Sequence, residues 1–359
     1  MSSDLAPTNL TELADAVQSV PRLLASGAQT KPALSVVDAA KLTTRRLTGI
    51  VEYEPSEFTF TALAGTPVRE IAAALTERGQ YLPFDPMLVD AGATLGGTVA
   101  AGLSGPGRFR FGGIRDFILG VKFVDGQGRL LRIGGKVVKN AAGFDLPKFF
   151  VGSLGRFGVL GEITFKVFPR RSSSLTLKLE ANDIERAAQI LTEAAHTRWE
   201  LDALDLHPDG CVYARLAGPE AALEVLAAEI LARWPGNNLS SAEAESLWAD
   251  LREFGWASQE GMLVKVPLTP KELPALKKAV NLLNDGRLHA SAGSNVAYIA
   301  APLNANWKVF DESLLGLGLA GITLRGDGSI WRGKRVSSKI NQAIKIALDP
   351  NSRFLELED

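Results

Sequence analysis

The chain has 359 residues, 39 Lys and Arg against 40 Asp and Glu, and 46% hydrophobic residues. That length favours two domains whose cores need no disulfide or metal staple. A formal net charge of −1 supplies no global field for nucleic acid or anionic membrane, and a single cysteine, Cys211, excludes an intrachain disulfide or a multi-thiolate metal or iron–sulfur site held by this chain alone. The start lacks a signal-type apolar segment and no run of eighteen apolar residues follows, so a cytoplasmic protein is expected, able to sit peripherally at the inner face of the cell membrane through partners.

Leu10 to Val20 repeats apolar residues at helical spacing, with Thr8 as cap and Pro21 as stop; "RLLASGAQTKP" then reads as a short strand entering a tight turn at Gly27. "LSVVD", "GIVEYEP" and "EFTFTALAG" are extended. Thr66-Pro67 places a capping hydroxyl and then a proline before the helix "VREIAAALTERG", which stops at Gly79. Leu88 to Leu103 is a glycine-rich connection, and a hairpin from Phe117 turns at residues 125–128. "GGKVVKNAAGFDLPKFFVGSLGRFGVLGEITFK" follows and runs into the strand "GEITFKVFP".

After Pro169 the rhythm changes. A strand over 174–180, a helix over 183–197, strands over 201–207 and 211–216, helices over 219–234 and 241–254, a strand over 261–267, a helix over 270–285 and one or two strands over 287–300 spell an α+β domain with an antiparallel sheet. The boundary falls at Arg170-Arg171, dividing residues 1–170 from 171–330. In the remaining 331–359, a helix from Val336 to Leu348 is too short to stand alone, so its apolar stripe is expected to cover a surface of the first domain.

Residues 108–170 hold twelve Lys and Arg against four Asp and Glu, an excess that suits an anion site or a solvated docking face. Three glycine-bearing loops, 25–31, 93–98 and 152–161, offer positive φ and close backbone approach, and successive exposed N–H groups form a concavity apt for a diphosphate. None is G-x-G-x-x-G after a first strand or G-x-x-x-x-G-K-[ST], so nicotinamide and P-loop readings lose support. His196, His207 and His289 all lie in the second domain without metal spacing; His289 in "GRLHASAGSN" is the candidate for a substrate pocket, while the others, and Cys211 inside "CVYARLAG", read as structural. The tryptophans lack basic–aromatic interleaving, so no nucleic-acid partner is expected. A chain that cradles a large anion with few acid–base groups leaves the hard chemistry to that cofactor, and flavin suits it better than nicotinamide.

"GTPVREIAAALTERGQYLPFDP", "ATLGGTVAAGLSGPGRFRFGGIRDFILGVKFVDGQG" and "GGKVVKNAAGFDLPKFFVGSLGRFGVLGEITFKVFP" resemble, in order, the FAD-binding domain of the vanillyl-alcohol oxidase and p-cresol methylhydroxylase (PCMH) type, and within it the E-type subunits of bacterial glycolate oxidases. The resemblance is strong over about residues 20–170 and extends to the rest by length and layout. It implies an α+β fold: a two-subdomain PCMH-type FAD-binding domain, then an α+β cap domain. It also implies FAD held by backbone amides at Ser26, Gly27, Ala28 and Gln29, with Pro86, Ala93, Thr94, Gly96, Gly97 and Thr98 along the diphosphate and ribityl chain. Gly102, Leu103, Ser104, Arg110, Gly112 and Gly113 would line the ring side, and Gly152, Gly155, Gly158, Gly161, Glu162 and Ile163 would return past the cofactor. Lys139, in the segment with Lys136 and Asn140, could neutralise a phosphate or a substrate carboxylate, or fix its loop by pairing with Asp145.

With no histidine before His196, noncovalent FAD is expected, and the histidine cluster of the catalytic D-type paralogue is missing. The resemblance implies a subunit of a complex oxidising glycolate or D-lactate, with a D-type flavoprotein and an iron–sulfur subunit as partners. The alternative is a noncatalytic partner that stabilises the paralogue. If this chain oxidises substrate itself, Arg110, Arg325 or Arg332 would clamp the carboxylate and His289 would be the base. The ending "IKIALDPNSRFLELED" keeps Asp349-Pro350 and Phe354 but departs from the family's final Asn-Pro-Gly.

Overall fold

Helix α1 (Leu10–Ser19) starts at Asn9, whose side chain accepts the Glu12 N–H at 2.9 Å; Thr8, the expected cap, instead directs its N–H and hydroxyl to the Glu12 carboxylate. The structure is a computed structural model that describes residues 5–35, 39–135, 146–335 and 339–355. It divides into two compact units, one of residues 1–104, 113–170 and 337–358, the other of 105–112 and 171–336.

In the first unit, Leu13 and Val17 of α1 pack with Leu23, Leu42, Val124 and Val159. Strand β1 (Leu23–Ser26) pairs parallel with β2 (Ala40–Thr43). Strands β3 (Ile50–Glu54), β4 (Thr59–Leu63), β6 (Ile118–Val124), β7 (Leu130–Gly134) and β8 (Val159–Lys166) form an antiparallel sheet in the order β3-β4-β8-β6-β7, while β5 (Gln80–Tyr81) pairs with β9 (Phe168–Pro169). One face of that sheet is apolar, with Phe60 and Phe165 stacked at 5.9 Å and Phe84 tilted against Phe165 and Phe117. Helix α2 (Val68–Thr76) has Pro67 itself at the N-cap; the Thr66 hydroxyl donates backward to the Leu63 carbonyl at 2.7 Å rather than capping.

The stretch read as a connection contains helix α3 (Leu95–Ala101). Two glycines in its first turn weaken helical propensity, so the helix rests on tertiary contacts. Leu95 N–H donates to the Thr66 carbonyl, Gly96 N–H to the Ala64 carbonyl at 2.7 Å, and Gly97 N–H to the Thr94 hydroxyl at 3.3 Å. A Cβ on Gly96 would come within 2.8 Å of the Ala64 methyl, so the glycine lets helix and strand meet backbone to backbone.

The second unit opens with the short helix α4 (Arg108–Phe111), which lies within the 105–112 excursion of the chain, and continues with α5 (Ile184–Ala195), α6 (Glu220–Arg233), α7 (Ser241–Glu253), α8 (Leu273–Val280) and α9 (Trp307–Leu317). Its strands are β10 (Ser173–Leu179), β11 (Ala203–Leu206), β12 (Val212–Gly218), β13 (Gly236–Asn238), β14 (Met262–Pro267), β15 (Arg287–Ser291), β16 (Val296–Ala301), β17 (Ala320–Arg325) and β18 (Trp331–Gly333). They form one antiparallel sheet in the order β13-β10-β12-β11-β15-β16-β14-β17-β18. Because β18 closes this sheet, residues 331–336 belong to the second unit, not to the tail expected from 331 onward. Alternation puts Leu177, Ala214, Leu206, Ala290, Ile299 and Val264 on a face buried under α5, α6, α8 and α9. The opposite face is polar, and α7 reaches it where the Trp248 indole donates to the Thr176 hydroxyl at 2.9 Å.

Helix α10 (Lys339–Leu348) belongs to the first unit, yet it docks through polar side chains: Ile340 and Ile346 are 69% and 71% exposed while Lys345 is buried. Lys345 donates to the carbonyls of Arg156 and Phe354 and pairs with Asp349 at 2.8 Å. Asp349, 1% exposed, accepts the N–H groups of Arg353 and Phe354, so Phe354 is set beside Leu23. Asp349→Ala would remove the anionic partner of the buried Lys345 ammonium and the acceptor of two N–H groups. The expected loss is about 3 kcal/mol, read in urea unfolding, with Asp349→Asn milder because its amide oxygen can still accept.

Candidate functional site

β1 ends at Ser26 and the chain turns at once, with Gln29 in the left-handed region at φ +56°. The Ser26 carbonyl accepts from the Thr44 N–H at 2.8 Å, which fixes where the turn begins. Beyond it, the N–H groups of Gly27, Ala28, Gln29 and Thr30 donate to no group among the described residues. The Ser26 hydroxyl is buried and has no partner among them either. Lys31 closes the turn, its ammonium donating to the Thr30 hydroxyl at 2.8 Å, and burial pushes it down to about 8. Unpaired amides, an orphaned hydroxyl and a desolvated ammonium all favour an anion.

The turn lines two adjoining concavities of about 390 and 490 Å³ that share Ala25, Ser26, Gly27, Gly97 and Ala100. Gly27 sits where a Cβ would collide with the Thr94 hydroxyl, so a side chain there would push the turn off α3. The other wall is the loop 153–160. Leu154 N–H donates to the Ala100 carbonyl at 2.9 Å and Gly152 N–H to the Val99 carbonyl at 3.0 Å, so this loop is tied to the same helix. A bound anion of diphosphate type would therefore touch backbone from two glycine loops held apart by α3.

Of the residues expected around the cofactor, Ser26, Gly27, Ala28, Gln29, Thr94, Gly96, Gly97, Gly155 and Gly158 line these concavities. Leu154 and Leu160 of the expected segment 152–161 line them too; Thr44 and Ala64 do so as well and were missed, because only pairing between distant strands brings them there. Gly96 is not a free donor; its N–H is tied to Ala64. Gly161, Glu162 and Ile163 lie in β8: Glu162 and Ile163 pair with β4 on one side and β6 on the other, and Glu162 pairs with Lys122 at 2.9 Å. Gly161 falls at the register shift between Lys122 and Phe123, and its carbonyl accepts the Ala64 N–H at 2.9 Å. Pro86, Ala93, Thr98, Gly102, Leu103 and Gly152 are outside the lining, and the Ser104 hydroxyl accepts the Ile114 N–H at 3.1 Å. Gly113 falls in the first unit, Arg110 and Gly112 in the second. Lys139, with Lys136, Asn140 and Asp145, lies outside the described residues.

The four residues weighed for catalysis are all in the second unit, engaged in separate contacts. His289 is fully buried, its Nε2 bonded to Asp205 at 2.8 Å. Arg110 pairs with Glu200 at 2.8 Å and Asp202 at 3.6 Å. Arg325 donates to Gln259 at 2.8 Å and to the carbonyls of Ser258 and Gly261, stapling the turn before β14. Arg332 is buried against Asp311, Thr323 and the Trp307 ring. Burial pushes the Cys211 thiol up, away from thiolate chemistry. Among the described residues no group of three or more His, Cys, Asp and Glu could hold a metal ion, and no helix is long and apolar enough to cross a membrane.

A family model for the FAD binding domain matches residues 4–134. The fold is similar to p-cresol methylhydroxylase with substrate bound, at a TM-score of 0.73 and 15% identity over 97% of this chain and 87% of that one. It is also similar to alkyldihydroxyacetonephosphate synthase, at 0.70 and 16% identity over 97% and 75%. Glycolate oxidase subunit GlcE of Escherichia coli strain K12 is 36% identical over 280 residues, 76% of each chain. Glycolate oxidase subunit GlcD of Bacillus subtilis strain 168 is 30% identical over 149 residues, 42% of this chain and 32% of that one, and a D-2-hydroxyglutarate dehydrogenase of Xanthomonas citri is 26% identical over 244 residues, 67% and 51%.

FAD, whose diphosphate suits the unpaired amides, should bind with an affinity that depends on Lys31. The lysine is cationic below about 8 and an anion binds only its charged form well. Affinity measured by flavin fluorescence should therefore be greatest near pH 7 and fall by up to about tenfold per pH unit above 8, and Lys31→Met should be weaker and lack this dependence. With 36% identity spread over three quarters of both chains, and a cleft of this construction inside the region that matches an FAD binding domain, the chain belongs to the glycolate oxidase subunit GlcE family.

Proposed function

We propose that the chain holds FAD noncovalently in the first unit and works as one subunit of a complex that oxidises glycolate or D-lactate to the 2-oxo acid. A D-type flavoprotein paralogue and an iron–sulfur subunit would be its partners. The observation that carries this reading is the turn 27–30, four successive N–H groups without acceptors above the orphaned Ser26 hydroxyl. Ser26, Gly27 to Lys31, Gly97 and Gly155 would hold the cofactor, which supplies hydride acceptance from the α-carbon of a 2-hydroxy acid when bound. Among the described residues lining the cleft there is no His, Cys or Tyr, which supports noncovalent binding. One cysteine per chain builds no iron–sulfur relay, so electrons leave through a partner.

The contacts of the second unit favour one further reading, in which the chain supports catalysis by its paralogue without oxidising substrate. His289 has no exposed surface and Arg110, Arg325 and Arg332 are committed to acceptors within the same unit, so all four residues weighed for catalysis are occupied.

Purified chain reconstituted with FAD should be yellow, and acid precipitation should leave the colour in the supernatant; protein that stays colourless at saturating FAD would sink the flavin assignment. Anaerobic glycolate should bleach the flavin of the chain assembled with a D-type subunit. Bleaching of the isolated chain assigns oxidation to this subunit. Bleaching only after assembly assigns it a supporting role.

A further inference from the structure

We propose that the polar face of the first unit's five-stranded sheet is a docking surface for a second copy of this chain, turned about a two-fold axis. The contact is independent of what the cleft binds.

Strand register defines the face. Glu52 on β3 stands opposite Thr61 on β4, Thr61 opposite Thr164 on β8, and Thr164 opposite Gly120 on β6. Two residues beyond Gly120, Lys122 stands opposite Glu162 on β8 and Arg132 on β7. Residues directly opposite in antiparallel strands point to the same face, so all of these share one side of the sheet, while Phe60 and Phe165 stack on the apolar side. Thr61, Thr164 and Gly120 are small and floor a concavity of about 690 Å³ that Val51, Lys122 and Arg132 help to wall.

Charge on this face is sorted by strand. Glu52 and Glu54 stand on the β3 edge and Arg132 on the β7 edge. Glu54 and Arg132 are exposed, and neither makes an ion pair among the described residues. Between the edges the charges are already used: Lys122 and Glu162 pair at 2.9 Å, and the Lys166 ammonium lies over the Phe117 and Phe168 rings. Each edge also keeps an apolar side chain in solvent, Val51 on β3 at 54% exposed and Leu130 on β7 at 45%.

The order β3-β4-β8-β6-β7 puts β8 in the middle. A two-fold axis laid along β8 over this face therefore carries β3 of one copy onto β7 of the other, and the pairing occurs twice, as an isologous contact requires. The acidic edge then meets the basic edge at both ends of the contact. Glu52 lies one side-chain row from Arg132, a step of about 7 Å along the strand, which a guanidinium on its long stem spans. Near the axis each Glu162 brings its own Lys122 as counter-charge, and the small floor residues let two sheets approach to the roughly 10 Å of face-to-face packing. A partner of one sign would be drawn to one edge and repelled by the other, whereas a second copy satisfies both.

The test is sedimentation velocity on the purified full chain after FAD reconstitution. The expected species is a dimer that loosens as salt is raised, because its edge charges are solvent-accessible. Arg132→Glu and Glu52→Arg should each raise the dimer dissociation constant roughly tenfold or more. The double variant, which exchanges the two signs, should restore the dimer, a rescue that mere damage to the fold would not allow; thermal unfolding and flavin content check the fold of each variant. Arg132 is exposed, so Arg132→Glu alone keeps the test decisive should Glu52→Arg fail to fold. A wild-type chain that stays monomeric at every concentration reached, a dimer that Arg132→Glu leaves intact, or an Arg132→Glu chain that loses only its association with a D-type subunit overturns the proposal. The readout is mass, so a colourless chain is measured in the same way, and failure of the flavin assignment would leave the dimer standing.

Discussion

The first unit depends on how closely the turn after β1 approaches the start of α3. Gly27 lies where any side chain would strike the Thr94 hydroxyl, and that hydroxyl caps α3 through the Gly97 N–H. The helix N-terminus is therefore satisfied by Thr94 and by the carbonyls of Thr66 and Ala64, while the turn that leans on it leaves its own amides without acceptors among the described residues. Half-buried N–H groups without acceptors are costly, and those of Gly27, Ala28 and Thr30, on either side of the exposed Gln29, suit an acceptor from outside the chain. A short helix with two glycines and a strained turn thus make one device: the helix supplies the rigid surface and the turn supplies the donors.

This construction separates what was legible in the sequence from what was not. The loop 25–31 announces itself through glycine and lysine after a short apolar run, and residues 26 to 29 do line the cleft. The loop 93–98 looks the same in composition, yet Gly96 has a different use. It lets α3 touch Ala64, and its N–H is tied there. Composition does not distinguish a glycine that opens backbone to a ligand from one that brings two chain segments together, because both need the same missing Cβ. The same limit applies to Gly161: the glycine reads as loop, but it stands inside β8, at the register shift between Lys122 and Phe123. Thr44 and Ala64 carry no local signal, since their place in the cleft comes from pairing between distant segments.

The C-terminal helix teaches a related lesson. An apolar stripe at helical spacing implied that α10 would bury that stripe, but the helix turns Lys345 and Asp349 inward and keeps Ile340 and Ile346 outside. A buried ion pair with its remaining donors and acceptors satisfied can hold a helix as well as apolar packing does, and it holds it in one register only. Periodicity identifies the faces of a helix without saying which one the rest of the chain has prepared to receive.

The two units use polar groups in opposite ways. The first uses backbone dipoles and one lysine, a donor set fixed in place before any ligand arrives. The second pairs charged side chains with one another, and Asp205 locks His289 into the frame of its sheet. Backbone donors suit a large cofactor that stays, because their geometry costs no side-chain entropy to organise. His289, the residue that looked most like an acid–base group in the sequence, is on this view part of the frame that positions Tyr298 rather than a partner in proton transfer.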